Sequence, residues 1–293
     1  MICLIPLSLA LLLSGNSANS TPPAVIPPAE APKEHKGHAV VEVRTDVGWV
    51  GPSQTFNVIV NITPDEDWHV YWKNPGASGA PTEIELNLPE GFVAGEFQYP
   101  RPTTFQGEEG QTYGYDKSAA IFIPVTSPEI LVDGQVQVEV ETYWLACKQL
   151  CVMGEQKSNL KISTNNIHQG PLHKDMQLSR WLAALPAPLD DLEEGGSVLS
   201  GNTLFIYGES TKRPIRFIGI EQKGVRFGHQ EQLVSNGNSF RIPIPIYLDF
   251  SAIEGSKLIV EGILMFGRKS DDPSYVVQLI VDSSSNLHEG KGN

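Results

Sequence analysis

The sequence has few basic residues, and this shortage excludes one class of partner. The chain of 293 residues carries 21 Lys and Arg against 34 Asp and Glu, a formal net charge of −13. Lys and Arg do not cluster, and no stripe of basic and aromatic side chains is present. Because nucleic-acid binding needs cations that neutralise phosphates, we expect neither nucleic acid nor an anionic membrane as a partner.

Long apolar runs are also scarce. The uncharged segment 1–20 contains one, from Ile2 to Leu13, which is interrupted by Pro6 and Ser8. This run has the length of a signal-peptide core, whereas a membrane span needs about 20 apolar residues. Small residues at 18–20 are typical of a cleavage site. We therefore predict a signal peptide over 1–20, export from the cytoplasm, and a mature chain without a membrane span.

Cysteine is also scarce, with only 3 residues in the chain. Cys3 falls within the predicted signal peptide, which leaves Cys147 and Cys151 in the mature protein. An exported protein reaches a compartment in which disulfides persist, so this pair can be a disulfide.

The remaining pattern predicts an all-β protein of two domains. A Pro-rich linker over 21–37 precedes a β-sandwich domain at 38–165, a helix and linker at 166–196, and a second, smaller β domain at 197–283; residues 284–293 form a tail. Short runs with apolar side chains at every second position, bounded by turn-forming residues, indicate the strands. In the first domain they occur at 41–43, 56–62, 84–86, 121–123 and 136–140.

The second half of the chain carries three local signals. Apolar residues at helical spacing between Pro171 and Pro186 predict one short helix. Asn236-Gly237 is typical of a hairpin turn. Pro243 and Pro245 alternate with isoleucines and predict that the strand over 240–247 lies at a sheet edge, where it could bind a partner by strand addition.

The Cys147–Cys151 spacing allows three interpretations. A structural disulfide would close a loop of about five residues, which stabilises by only about 2 kcal/mol in the chain-entropy model. A metal site would need further ligands, and no second CxxC or HxxxH accompanies the pair. A redox pair needs an exposed sulfur and a group that favours the thiolate, for which Lys148 is the local candidate. The redox interpretation is favoured, and no cofactor or metal is expected.

A set of motifs around these cysteines resembles the N-terminal periplasmic domain of the DsbD and ScsB disulfide reductases. Their order and spacing match that family over about 100 residues. The motifs are DWHVYWKNPG at 67–76, SG at 78–79, PT at 81–82, FQG at 105–107, YGY at 113–115, and WLAC at 144–147 followed by Cys151.

The resemblance implies an immunoglobulin-like sandwich that shuttles electrons by thiol–disulfide exchange. It assigns the mixed disulfides to Cys151 and their resolution to Cys147, and it makes Phe105 the aromatic residue of a loop that caps the cysteines. Tyr113 and Tyr115 lie beside this cap and either pack or line the cysteine pocket. The family also implies a thioredoxin-like or membrane-embedded electron donor, here a separate protein, and periplasmic disulfide-containing proteins as acceptors.

Two further expectations follow. If the pair is redox-active, the chain is a protein-disulfide reductase component; the alternative is a non-catalytic protein-binding module with a permanent structural disulfide. His69 alternates with Trp68 and Val70 on a short strand, a pattern more typical of a structural or surface histidine than of a general base.

Overall fold

Apolar residues at every second position favour β-strands, and most of the described chain is strand. The structure is a computed structural model that describes residues 35–132, 134–164, 175–228, 233–253, 255–267 and 272–282. These residues lie in one compact unit, Lys33–Asn293. The predicted signal peptide, most of the Pro-rich linker and the tail at 284–293 fall outside the described residues.

Ten strands come from the first half of the chain and form two sheets. One sheet has the order β1-β2-β8-β5; the other has the order β10-β9-β3-β7-β6, with β4 also paired to β9. The strands are β1 Ala39–Thr45, β2 Thr55–Pro64, β3 His69–Gly76, β4 Glu83–Asn87, β5 Val93–Ala94, β6 Thr103–Gly107, β7 Gly110–Tyr115, β8 Ala119–Thr126, β9 Gln135–Cys147 and β10 Cys151–Ser163.

The facing sides of these two sheets enclose one hydrophobic core. Val58 and Val60 of β2 pack in the same cluster as Trp72 of β3 and Val138 and Val140 of β9. All five side chains are fully buried. Burial on one face of each strand is what the period-2 pattern predicts, and the all-β, immunoglobulin-like fold class is confirmed.

Nine further strands from the second half form another pair of sheets. Their orders are β11-β19-β18-β14 and β12-β13-β17-β15, with β16 also paired to β17. The strands are β11 Ala187–Pro188, β12 Gly196–Ser200, β13 Thr203–Glu209, β14 Pro214–Gly219, β15 Val225–Phe227, β16 Val234–Asn236, β17 Ser239–Leu248, β18 Lys257–Phe266 and β19 Ser274–Asp282. A separate core lies between them, built on Leu204, Ile206, Ile242, Ile244 and Val260.

The expectation of an edge strand over 240–247 is wrong. Strand β17 lies inside its sheet, paired with β13 on one side and with β16 and β15 on the other. On β17, the pairing with β16 ends at Arg241 and the pairing with β15 begins at Ile246. Pro243 and Pro245 lie between these two paired segments. The Pro245 carbonyl accepts from Gly228 N on this side, so the missing N–H of Pro245 also faces away from β13. On the side away from β13, strand β17 is thus paired with described neighbours at both of its ends, over 239–241 and 246–248.

The other two local signals correspond to real elements. Helix α1 spans Met176–Ala183, and Asp175 caps it by accepting from the backbone N–H groups of Gln177 and Leu178. The hairpin between β16 and β17 closes at the pair Asn236 and Ser239, so its turn residues lie one position later than the sequence signal. Residues 171–174 of the predicted helix lie outside the described residues.

A buried arginine joins the two halves of the chain. The Arg101 guanidinium donates to the backbone carbonyls of Phe266 at 2.6 Å and Gly267 at 2.7 Å. Lys73 of β3 adds an ion pair to Glu261 of β18 at 2.7 Å. Because a buried cation is stable only when its donors are satisfied, Arg101 fixes the chain leading into β6 to the end of β18.

The packing around Trp144 generates a prediction about stability. The Trp144 indole donates to the Gly37 carbonyl at 2.7 Å and lies against Gly154, its cross-strand partner. A Cβ on Gly154 would overlap this ring. Gly154→Ala should lower the free energy of unfolding by about 1–3 kcal/mol because the indole must move, as measured by chemical denaturation. Gly48→Ala, where a Cβ meets no atom within 4 Å, is the matched control; equal stability of the two variants would contradict the prediction.

Candidate functional site

The two cysteines lie at the tip of the long hairpin formed by β9 and β10. The strands pair without interruption from Gln135 opposite Ser163 to Cys147 opposite Cys151. Residues 148–150 connect them. The two cysteines are therefore direct cross-strand neighbours, with their α-carbons 4.2 Å apart, and they form a disulfide. Strand β10 begins at Cys151 itself.

The two cysteines differ in their access to solvent. Cys147 is 4% exposed, whereas Cys151 belongs to the exposed residues of the hairpin tip. Thiol–disulfide exchange requires that an incoming sulfur reach one sulfur of the bond. The geometry therefore presents Cys151 for attack and shields Cys147.

His69, the first residue of β3, lies on the opposite side of Cys147 from Cys151. His69 and Cys147 are paired residues of the antiparallel strands β3 and β9. Directly opposed residues point to the same face of a sheet with their β-carbons about 4.5–5.5 Å apart. Cys151, Cys147 and His69 thus form a row across three neighbouring strands, with Cys147 in the middle.

Aromatic rings enclose the His69 imidazole. The Phe105 ring stacks on it, with ring centroids 4.3 Å apart, and the Tyr71 ring meets it edge-on at 5.3 Å. This partial burial lowers the pKa of His69 below its usual value, while the nearby Asp116 carboxylate acts in the opposite direction. The imidazole is therefore neutral at neutral pH.

The predicted cap is a short β-hairpin rather than an irregular loop. Strands β6 and β7 pair from Thr103 opposite Gly114 to Gly107 opposite Gly110, and residues 108–109 make the turn. Phe105 lies in the middle of β6 and is partly buried. Its ring contact is with His69, so the structure connects Phe105 to the cysteine row through the imidazole.

The two predicted pocket tyrosines take different positions. Tyr113 is half-buried and meets the Trp72 ring edge-on at 6.5 Å. Tyr115 is buried and its hydroxyl donates to the Pro100 carbonyl at 2.9 Å. Burial raises the pKa of Tyr115 well above its usual value. Both tyrosines thus contribute to the packing that supports β3 and the cap.

Lys148 follows Cys147 directly, and its ammonium forms an ion pair with Asp67 at 3.1 Å. Both side chains are largely exposed, so the pair contributes little to stability. The positive charge of Lys148 is thus paired with the Asp67 carboxylate, and Asp67 lies two residues before His69. A role for Lys148 in favouring the thiolate stays a prediction.

Apolar side chains flank the exposed cysteine. Leu150 and Met153 are each 78% exposed, and Val152 lies between Cys151 and Met153 with 37% exposed. Leu150, Val152 and Met153 are here called the tip patch; Leu150 and Val152 adjoin Cys151 in sequence, and Met153 lies on the same face of β10 as Cys151. Clustered apolar groups beside a reactive atom are typical of a protein-docking site.

His69 is the site residue that the sequence interpretation did not select. The proximity of His69 to Cys147 is evident only in the folded protein, because the pairing of β3 with β9 joins segments far apart in the chain. Among the described residues, no group of three or more His, Cys, Asp or Glu side chains is arranged to hold a metal ion. Within the same part of the chain, no helix is long and apolar enough to cross a membrane.

One family model matches the part of the chain that contains this site. Residues 38–162 match the family described as thiol:disulfide interchange protein DsbD, N-terminal. The match confirms the resemblance inferred from the sequence. A search of curated proteins gives no match.

Two solved structures are similar to the chain. The N-terminal periplasmic domain of ScsB from Proteus mirabilis has a TM-score of 0.53 at 15% identity, with 88% of this chain and 96% of that domain covered. At that identity the likeness establishes the fold. The reduced DsbD N-terminal domain of Neisseria meningitidis covers 44% of this chain and 87% of its own length at 13% identity, with a TM-score of 0.30.

The unequal exposure of the two cysteines predicts unequal reactivity. In the reduced protein, iodoacetamide should modify Cys151 at least about tenfold faster than Cys147, because burial hinders access and disfavours the thiolate. Trypsin cleaves after Lys148 and places the two cysteines in different peptides, so mass spectrometry of a time course gives both rates. The rates should converge in denaturant. Faster modification of Cys147 in the folded protein would contradict the assignment.

Proposed function

We propose that this chain, whose residues 38–162 form a DsbD N-terminal domain, is a periplasmic thiol–disulfide exchange protein. It relays electrons between a thioredoxin-like or membrane reductase partner and oxidised substrate proteins through Cys147 and Cys151. The observation that carries the proposal is the cross-strand cysteine pair with one accessible and one buried member. The periplasmic location rests on the family and on the predicted signal peptide.

The surrounding fold has little need of this disulfide. The bond links two residues that the uninterrupted β9–β10 pairing already holds opposite each other. In the chain-entropy model, closing such a short loop stabilises by only about 2 kcal/mol. This supports a redox role over a permanent structural bond.

The proposed reaction transfers two electrons in two displacements. In the reduced protein, the Cys151 thiolate attacks a substrate disulfide, forms a mixed disulfide and releases one substrate thiolate. Cys147 then attacks the Cys151 sulfur, forms the intramolecular disulfide and releases the second substrate thiolate. The substrate is reduced, the cysteine pair is oxidised, and a partner dithiol restores the pair by the reverse sequence. No cofactor takes part.

The redox potential of the pair separates this proposal from the structural alternative. We expect a potential above about −300 mV, since permanent structural disulfides lie below that value. Equilibration with glutathione or dithiothreitol buffers, followed by thiol alkylation and mass analysis, measures it. A lower potential would favour the protein-binding module with a permanent disulfide.

Mixed-disulfide trapping tests the roles of the two sulfurs. Cys147→Ser should accumulate a mixed disulfide with a thioredoxin-like protein that keeps one active-site cysteine, activated as an aromatic disulfide, because neither protein then retains a resolving sulfur. Cys151→Ser is the matched control and should accumulate much less. Non-reducing electrophoresis shows both outcomes, and trapping by the Cys151→Ser variant alone would reverse the assignment.

The tip patch predicts a difference between protein and small-molecule partners. Met153→Lys should slow exchange with a thioredoxin-like protein about tenfold, because a charge replaces apolar contact area beside the sulfur. Exchange with dithiothreitol should keep its rate, since a small thiol needs no docking surface. Met176→Lys, at another exposed methionine, is the control. An equal loss with both reductants would show that the patch does not dock proteins.

A further inference from the structure

We propose that His69 is the general base that removes the proton from the Cys147 thiol during resolution of the mixed disulfide. The inference rests on the proposed function, because it concerns the second displacement of that reaction. It assigns a chemical role to a residue for which the sequence pattern favoured a structural or surface role.

The placement of His69 favours action on Cys147 rather than on Cys151. His69 is the direct cross-strand partner of Cys147, and both side chains occupy one face of the sheet. Cys151 lies one strand further away, on the far side of Cys147. An imidazole can therefore reach the buried sulfur, while the exposed sulfur exchanges protons with water.

The buried sulfur needs such a base. Only the thiolate attacks a disulfide, and burial in apolar surroundings raises the pKa of a thiol. Cys147 is shielded from solvent, whereas Cys151 is not. Without a nearby proton acceptor, resolution would depend on the small fraction of Cys147 that is ionised.

The surroundings of His69 keep it available as an acceptor. Phe105 covers one face of the imidazole and the Tyr71 ring contacts its edge. The side-chain hydrogen bonds found in the described parts of the chain do not involve this imidazole, so its nitrogens are not committed to another group.

Several charged groups surround the pocket. Asp116 follows β7 and stabilises a protonated imidazole. The Lys148–Asp67 ion pair lies at the hairpin tip and at the start of β3, and Glu109 of the cap turn acts on Tyr71. Within this set, Asp116 is the anion that stabilises the imidazolium formed when the proton arrives.

The step balances without an external reagent. The neutral His69 ring takes the Cys147 proton, and the resulting thiolate attacks the Cys151 sulfur. The Cys147–Cys151 bond forms as the bond between Cys151 and the substrate sulfur breaks. The departing substrate thiolate takes up a proton from the imidazolium or from water, which returns His69 to its neutral state.

An aromatic disulfide separates the two displacements in one experiment. The fully reduced protein is mixed with excess 5,5′-dithiobis(2-nitrobenzoic acid) in a stopped-flow instrument. The first thionitrobenzoate released reports attack by Cys151, and the second reports resolution by Cys147. Rates are measured from acidic to alkaline pH for the wild type and for His69→Gln.

We expect His69→Gln to leave the first phase unchanged and to slow the second phase about 100-fold at neutral pH, within the range of general-base catalysis. The difference should shrink in alkaline solution, where water and hydroxide ionise the thiol directly. It should also shrink in acid, as the wild-type imidazole becomes protonated below the ordinary histidine pKa near 6.5. Added imidazole should accelerate the second phase of His69→Ala.

Two control variants separate chemistry from packing. His35→Gln removes an exposed histidine that bonds Asp65, and both phases should keep their rates. Phe105→Leu removes the stacking ring but retains the base, so its second phase should still slow in acid, with the pH at which it slows moved up toward the ordinary histidine pKa. Thermal unfolding of every variant verifies the fold.

The outcomes distinguish this inference from the proposed function. A normal second phase in His69→Gln, or equal slowing of both phases at every pH, would overturn the role of His69 as a base and leave the exchange function intact. Loss of the first phase in the wild-type protein would instead contradict the exchange function itself.

Discussion

The pairing register of β9 with β10 is the constraint on which the site depends. A shift by one residue would turn every side chain of a strand to the opposite face and separate the cysteines. Trp144 and Gly154 hold this register, because the indole occupies the space that any side chain at 154 would need and bonds the Gly37 carbonyl. The same register sets Cys147 beside Cys151, and the pairing of β9 with β3 then adds His69.

One sheet gives the two sulfurs different environments. Strand β9 ends with Ala146 and Cys147 both buried, on opposite faces of the sheet, while β10 begins at the exposed tip. In the proposed exchange reaction, the exposed Cys151 would meet the partner protein and the buried Cys147 would resolve the mixed disulfide. A helix N-terminus commonly lowers the pKa of a reactive thiol; here the cysteines lie on strands, which makes a side-chain base more important.

The second pair of sheets contacts the β6–β7 hairpin and the segment that leads into it. Arg101 precedes β6 by two residues, and its guanidinium is held by carbonyls at the end of β18. Arg216 of β14 also contacts Gln111 of β7. The hairpin that carries Phe105 is therefore attached to the second half of the chain at both of its strands, which fixes the position of the ring over His69.

Sequence alone determined the strand pattern and the short helix, and it singled out Cys147 and Cys151 as candidates, because alternation, turn residues and cysteine spacing are local signals. The motifs also predicted that Phe105 belongs to a cap over the cysteines, and the structure places its ring on His69. Only tertiary structure decided that β17 is internal, since the prolines fall in an interval between two neighbouring strands that the sequence does not reveal. Tertiary structure likewise decided the exposure of each sulfur and the place of His69, because strand pairing joins residues that no local pattern connects.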